Sequence, residues 1–485
     1  MAGKKKHRRR RHRLQQQSGS PAVVGKAAAR SATATGSRAP ADATVEPAVS
    51  KLEVPAAAGS PRPEPAAGDP IAPPAKQLSP ALRVWRNKNY LLFEAGSFPQ
   101  SITTWVQRIG VTWLAWELTH SNAWVGAIAA ADLAPMIVLA PIAGAMADRA
   151  SNAMRLLRLT KLLMLGQAVV LVGLMYANLM SIELLLVLSL VTGVIHPYAS
   201  AARQIVLASS VVKEDFPSAI ALDSALFQSC RFIGPALAAI MIVWWDVGST
   251  FIAHIAGNAI LLATLMFMTI EPRDRRGHIR RSLLIEIADS VNYTRGHGAI
   301  WPLFLLLTVA SILLRPVQEL LPGFASKVFN AGPEGLGWLA SSMGVGATLS
   351  ATWIAFRGRI EGLSNWAITG GLILVLATLG FAATDQLWLG LIFAGLTAFG
   401  INTMSTSIQT ITQSVVSDGM RGRVMSLYSL IFRGLPAIGS LVLGSIADKI
   451  GLSRTFTIVA LMSLCVWGLV AIKARAISDA VRRDT

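Results

Sequence analysis

The sequence predicts an all-α membrane protein of about twelve transmembrane helices in two six-helix halves. Three observations carry that reading. The chain of 485 residues is 53% hydrophobic and 14% charged, with mean hydropathy +0.51, whereas a soluble domain carries about 25% charged residues. From Asn89 onward, apolar runs of about 20 residues or more repeat, each long enough to cross roughly 30 Å of hydrocarbon. Lysine and arginine collect in alternate connections, the distribution that orients membrane proteins.

The first 80 residues lack any long apolar run. They open on Lys4-Lys5-Lys6, Arg8 to Arg11 and Arg13, continue in Ala, Ser and Pro, and hold about half of the 23 prolines. Such a segment cannot bury enough surface to offset its ordering entropy, so residues 1–80 are expected to form a disordered basic cytoplasmic tail. It has no apolar h-region and is not a cleavable secretory signal. Near a bilayer it would touch anionic lipid, at about 1 kcal/mol per basic residue.

The spans fall at 89–116, 122–147, 156–178, 182–210, 217–244, 249–270, 301–324, 335–356, 364–384, 386–414, 422–447 and 453–473. Their even number and short connections argue for a bundle with both termini on one side. The even loops hold Arg149 and Arg155, then Arg273, Arg275, Arg276, Arg280, Arg281 and Arg295, then Arg357 and Arg359, then Arg421 and Arg423. The C-terminus adds Lys473, Arg475, Arg482 and Arg483, while the odd loops hold only Lys327, Lys449 and Arg454. The even loops and both termini are therefore expected in the cytoplasm. The net charge of +18 is read as this orienting pattern and not as a nucleic-acid surface. Cys230 and Cys465 both lie inside spans, which implies neither a disulfide nor a metal framework.

The longest connection, 271–300, separates a first half at 81–270 from a second at 301–475, with a short tail at 476–485. Within it, Leu283 to Asp289 is expected to form an amphipathic helix along the membrane surface. The halves repeat: Val211-Val212 through Arg231-Phe232-Ile233-Gly234-Pro235-Ala236 parallels Val415-Val416 through Arg433-Gly434-Leu435-Pro436-Ala437. A parallel repeat of six-helix halves is the plan of major facilitator transporters.

Gly144-Ala145-Met146-Ala147-Asp148-Arg149 resembles that superfamily's GxxxD(R/K) loop motif. Asp418 to Tyr428, Asn292-Tyr293, and Ala219 to Phe227 are similar to the bacterial branch that contains the enterobactin exporter. The resemblance covers about residues 82–475 and departs in two places. Ala150-Ser151-Asn152-Ala153 stand before Arg155 where a basic run is usual. The antiporter-type motif of the fifth span is reduced to Gly234-Pro235. The resemblance implies a major facilitator fold, a multi-pass protein of the bacterial inner membrane, and export. By the same resemblance, Asp148 and Arg149 hold the inward gate by docking on a neighbouring helix end.

A charge at mid-bilayer costs roughly 2.5–3.5 kcal/mol and needs a partner or a wet cavity. Asp132 lies about 16 Å from the outer start of span 2, and Arg108 about 13 Å from the outer end of span 1. Adjacent spans place them at one level, so they are expected to pair, either as a proton-coupling site or as a static bridge. Arg203 and Asp223 flank the 4–5 turn and are read as a gating or structural latch. Arg231 and Arg433 occupy matching repeat positions, and Arg315 and Glu319 are four apart around Pro316. On the cavity-lining spans of the fold, these charges could hold an anionic or zwitterionic ligand, with Glu319 a further proton-coupling candidate. His196 and His254 are candidate proton sites, each with a hydrogen-bonded packing role as the alternative, and His196 is also a cavity candidate. Trp105 and Trp113 lie deep enough to line a cavity. Trp116, Trp244 and Trp245 read as interface belts, and Glu94 as a group near the headgroups.

No phosphate loop, metal-ligand spacing or nucleophile elbow is present, so the sequence predicts no enzyme, no cofactor and no ATP drive. The expected function is proton-coupled efflux of a small amphipathic molecule such as a drug-like compound, siderophore or other metabolite. The expected partners are that solute, protons and the bilayer, around a monomer. Uptake by symport or uniport is the alternative within transport; a non-transporting sensor or scaffold is the alternative outside it.

Overall fold

The computed structural model describes residues 80–149, 153–269, 283–357 and 361–484. The basic tail expected at 1–80 lies outside them, apart from Pro80. Twelve long helical rods form the bundle. In the first half they are helix 1 (Lys88–Thr119), helix 2 (Asn122–Arg149), helix 3 (Ala153–Tyr176), helix 4 (Ile182–Ser209), helix 5 (Phe216–Trp244) and helix 6 (Val247–Phe267). In the second half, helix 7 runs from Ile300 to Val328, and helix 8 (Gly332–Arg357), helix 9 (Leu363–Ala383) and helix 10 (Leu387–Val415) follow. Helix 11 runs from Asp418 to Ile450, and helix 12 is Leu452–Ile472. Shorter helices at Pro80–Arg86, Leu283–Gly296 and Ala474–Asp484 flank the halves. The side chains of 283–287 are outside the described set, so the surface amphipathicity expected there is not visible.

Among the described residues, eleven of the rods are apolar enough to span a membrane by composition. The twelfth, helix 1, carries Lys88, Glu94, Arg108 and Glu117 together with many Ser, Thr and Gln. It is packed centrally, where polar groups can find partners, against helices 5 and 6. The outer rods show the reverse pattern: Phe356 is 87% and Ile472 82% accessible. An apolar exterior of this extent is stable only in hydrocarbon, where helices satisfy every backbone polar group internally.

The helix pairings repeat between halves. Helices 2 and 4 pack as 8 and 10 do, 3 and 4 as 9 and 10, and 3 and 6 as 9 and 12. Small residues allow the close approach. A Cβ on Gly346 of helix 8 would lie 1.9 Å from the Gly395 carbonyl oxygen of helix 10, a backbone atom that cannot rotate away. Gly346→Ala should therefore destabilise the second half by about 1–3 kcal/mol. Thermal unfolding in detergent checks this; an unchanged midpoint would mean the two helices can separate freely.

The halves meet through two symmetry-related pairs, helix 2 with 11 and helix 5 with 8. Close contacts run from the odd-loop end, where Gly444 meets Asn122 and Gly337 meets Ala239, to mid-helix, where Gly434 meets Ile137 and Gly344 meets Phe232. At the even-loop end, the ion pairs among described residues join groups on one side only: Arg83 with Asp215, Arg203 with Asp223, and Arg423 with Asp289. Between mid-helix and the even loops, the side chains of Arg108 and Phe227 are 34% and 43% accessible and Arg433 is exposed, so the space between the halves opens toward the even loops.

Candidate functional site

Helix 7 is irregular where it passes the middle of the bundle. A π turn over Ala310–Leu314 gives way to a 3-10 turn over Arg315–Gln318. Pro316 has no N–H to donate and clashes with a regular preceding turn, which is a common cause of such breaks. The break sends the two charged residues of this segment to different partners. Arg315 donates to the carbonyl of Phe432 on helix 11 and lies 4.2 Å from that ring centroid. Glu319 is buried and accepts from Arg108 Nη2 of helix 1 at 2.5 Å.

This differs from the pairing expected from depth alone. Arg108 bridges to Glu319 across the two halves and not to Asp132 within its own half. Depth counting fixes the level of a residue but not its rotation about the helix axis, and it is blind to a helix 7 break that swings Glu319 inward. Asp132 is half-buried and remains within electrostatic reach of Arg108, Glu319 and His196. Helix 4 comes close at this level because Gly193 presses on Asp132: a Cβ there would lie 2.5 Å from the Asp132 carbonyl oxygen. His196, one turn further along helix 4, shares that side.

Arg108 is therefore bonded to a carboxylate of the other half, Glu319, and within electrostatic reach of one in its own half, Asp132. Trp105 lies between Arg108 and Arg231, whose guanidinium carbons are 5.6 and 5.5 Å from its ring centroid. Phe227 of helix 5 packs on Trp105 at 6.3 Å and is still 43% accessible. Across the space, Tyr428 and Phe432 stack at 5.8 Å, and Tyr428 Oη donates to the Ser405 carbonyl at 3.0 Å. Arg433 is exposed on a π turn, Leu430–Gly434, that mirrors the irregularity of helix 7. These groups interact electrostatically with one another. The chamber thus carries Arg108, Arg231, Arg315 and Arg433 against Asp132 and Glu319, a cationic excess beside an aromatic wall.

Other expected residues fall elsewhere. Trp113 is buried within the first half, its Nε1 without a partner. Trp116 is 1% accessible and so is no lipid belt. It packs under Lys327, whose Nζ is 4.9 Å from its centroid. Trp244 and Trp245 do face outward. His254 is buried against Asn258, ring nitrogen to Nδ2 2.8 Å. Glu94 is not at the headgroups: it is 3% accessible, beside Arg203 and Asp223. The Asp148 and Arg149 side chains lie outside the described residues.

Sequence reading missed the closure at the odd-loop end. Asp448, at the end of helix 11, accepts from Asn122 N at 2.8 Å, Asn122 Nδ2 at 2.9 Å, Ala123 N at 2.9 Å and Ser121 Oγ at 2.5 Å. A carboxylate capping free N–H groups at a helix start is favoured by both hydrogen bonding and the helix dipole. Lys327 adds a second cross-half contact, donating to the His120 carbonyl at 2.9 Å. The signal was present: Gly444-Ser445-Ile446-Ala447-Asp448-Lys449 repeats the pattern of Gly144-Ala145-Met146-Ala147-Asp148-Arg149.

Two six-helix halves around a charged chamber, closed at one end and open at the other, define a secondary transporter of the major facilitator class. The chain belongs to the family described as transmembrane secretion effector, whose profile it matches over residues 81–481. It is 23% identical to the staphyloferrin A transporter of Staphylococcus aureus, over 77% of this chain and 93% of that protein. It is 22% identical to the multidrug efflux pump Tap of Mycolicibacterium fortuitum, over 75% and 90%. Among solved structures, it superposes on a POT family transporter in complex with 5-aminolevulinic acid with TM-score 0.64 at 12% identity, covering 81% of this chain and 96% of that one. A D-xylose–proton symporter gives 0.58 at 12%, covering 80% and 97%. These likenesses show the fold. The family consists of membrane transporters of small molecules, not enzymes.

Proposed function

We propose that the protein exports a small amphipathic molecule bearing an anionic or zwitterionic group, in exchange for protons, across a bacterial inner membrane. The observation that carries this reading is the Arg108–Glu319 bridge between the halves, with Asp132 within electrostatic reach of the same arginine. The chamber as a whole supports it: its excess guanidiniums suit an anionic head, and Trp105, Phe227 and Phe432 suit an apolar body. The names of the relatives, a staphyloferrin A transporter and a multidrug efflux pump, agree in kind. The positive-inside rule places the open, even-loop end in the cytoplasm, with both termini on that side.

In this reading, rocking of the halves requires that Arg108 release Glu319. A proton on Glu319 removes the charge that holds Arg108. The guanidinium then turns to Asp132 within its own half, and the bridge across the chamber is lost. Arg203 with Asp223 stabilises the first half near the open end. Asp148 and Arg149 serve the closure of that end in the opposite conformation.

Inverted vesicles with an acid interior test the proposal, using a quenched pH dye and a panel of anionic and zwitterionic amphiphiles. Recovery of the dye with wild type, but not with Glu319→Gln, supports proton-coupled export through this bridge. Recovery in both retains export and reduces Glu319 to packing. If no compound discharges the gradient, proton-coupled export fails, and the opposite gradient then tests uptake.

A further inference from the structure

A second titratable cluster lies in the first half, toward the open end, and the chamber mechanism does not use it. Glu94 of helix 1 is 3% accessible and its Oε1 is buried without a hydrogen-bond partner. The one guanidinium nearby is already engaged. Arg203 of helix 4 donates through Nη1 to Asp223 Oδ2 at 3.2 Å and through Nη2 to Asp223 Oδ1. It also donates to Ser97 Oγ from Nε at 3.2 Å and from Nη2 at 2.9 Å. It lies 5.2 Å from the Phe93 ring centroid as well. The Asp223 carboxylate, from helix 5, is near enough to act on Glu94 as a like charge.

The other ionisable groups around Glu94 give it no cation. Tyr90 lies one turn back on helix 1, and Cys230 lies on helix 5. Lys161 of helix 3 is buried within electrostatic reach of Arg203 and is not among the charges acting on Glu94. Helix 6 meets helix 1 here through Leu261 and Thr264 at Gly96, and its His254 is held by Asn258 further along. A buried carboxylate next to another carboxylate, with the shared arginine committed elsewhere, is strongly disfavoured as an ion. It is favoured as an acid, whose O–H can donate to Asp223.

We propose that Glu94 is a proton-carrying site in its own right, the buried acid of a Glu94–Asp223–Arg203 relay distinct from Asp132 and Glu319. In the conformation described here, Glu94 holds the proton and Asp223 holds Arg203. The Asp223 and Arg203 side chains are 14% and 22% accessible, so they connect the buried acid to water on the open side. On release, the Glu94 O–H bond breaks and the proton passes by way of Asp223 to water. Arg203 then pairs with the new Glu94 carboxylate. The step needs only water as acceptor. That this proton serves transport rests on the export reading above; that Glu94 binds it does not.

Infrared spectroscopy of the purified full chain in lipid nanodiscs tests the site without any substrate. At neutral pH the wild type should show the carbonyl stretch of a buried protonated carboxyl, and Glu94→Gln should lose that component while Asp132→Asn retains it. Asp223→Asn frees Arg203 for Glu94, so the same component should vanish there too. Should Glu94→Gln fail to fold, Glu94→Asp takes its place, and a shifted band in that variant assigns the component equally well. A band unchanged by every Glu94 substitution overturns the proposal. If the band behaves as stated but vesicles show no gradient-driven flux, the export reading fails and the proton site stands.

Discussion

Arg108→Gln is expected to lower gradient-driven transport by roughly 100-fold or more while leaving the protein in the membrane. Removing one member of a buried ion pair costs about 3–5 kcal/mol, because its partner stays behind uncompensated. The lower end applies here, since the Arg108 side chain is 34% accessible and Glu319 only 8%. At 1.4 kcal/mol per factor of ten, about 3 kcal/mol corresponds to the loss stated. Without its arginine, Glu319 also loses the partner whose release breaks the contact between the halves, so the switch itself is gone. The double variant Arg108→Gln with Glu319→Gln should recover thermal stability but not coupling, because both the buried charge and the switch are gone. Transport by Arg108→Gln within about twofold of wild type would show that the bridge is merely a strut.

Much of this architecture was legible in the sequence because hydrocarbon imposes few options. A run of apolar residues long enough to cross must be helical, and arginine in alternate loops sets the register of crossings. What sequence could not supply was rotation and irregularity. Asp132 and Arg108 lie at one level by depth, but which face each presents depends on packing. Gly193 against the Asp132 backbone sets part of that packing, and the broken turn at Pro316 brings in a competitor. The position of Glu94 departs from expectation for a related reason. It lies near the start of a long apolar run, where an outward-facing glutamate would reach the headgroups, yet helix 1 is central and turns Glu94 toward Arg203 and Asp223. Trp116 has a similar terminal position and is covered by Lys327. Position along a span predicts depth, whereas only the neighbours decide whether that depth faces lipid, protein or water.

Asp448→Ala is expected to open the odd-loop end and shift the resting population toward the opposite conformation by about 5- to 30-fold. Helices 2 and 11 pack against each other in opposite directions, so each begins where the other ends. A GxxxD pattern at the C-terminal end of either helix therefore lies level with the first turn of its partner. At Asp448 the consequence is visible, for its carboxylate accepts from two backbone N–H groups and two side chains of the 1–2 turn. Charge-assisted bonds of this kind contribute about 1.5–3 kcal/mol each when fully buried. This site is partly exposed and water replaces some of that, which leaves roughly 1–2 kcal/mol, the range stated as a population ratio. Asp148 holds the same position at the other end of the pair, so Asp148→Asn should move the balance in the opposite direction. Spin labels at Trp124 and Trp338, one on each half, read the outcome as a distance distribution after Cys230 and Cys465 are replaced by serine. A longer distance in Asp448→Ala and a wild-type or shorter one in Asp148→Asn is the expected pair of results. Equal distributions in all three proteins would mean that the halves are held closed by the close packing of Gly126, Gly434 and Gly444 alone, and that Asp448 merely caps a helix.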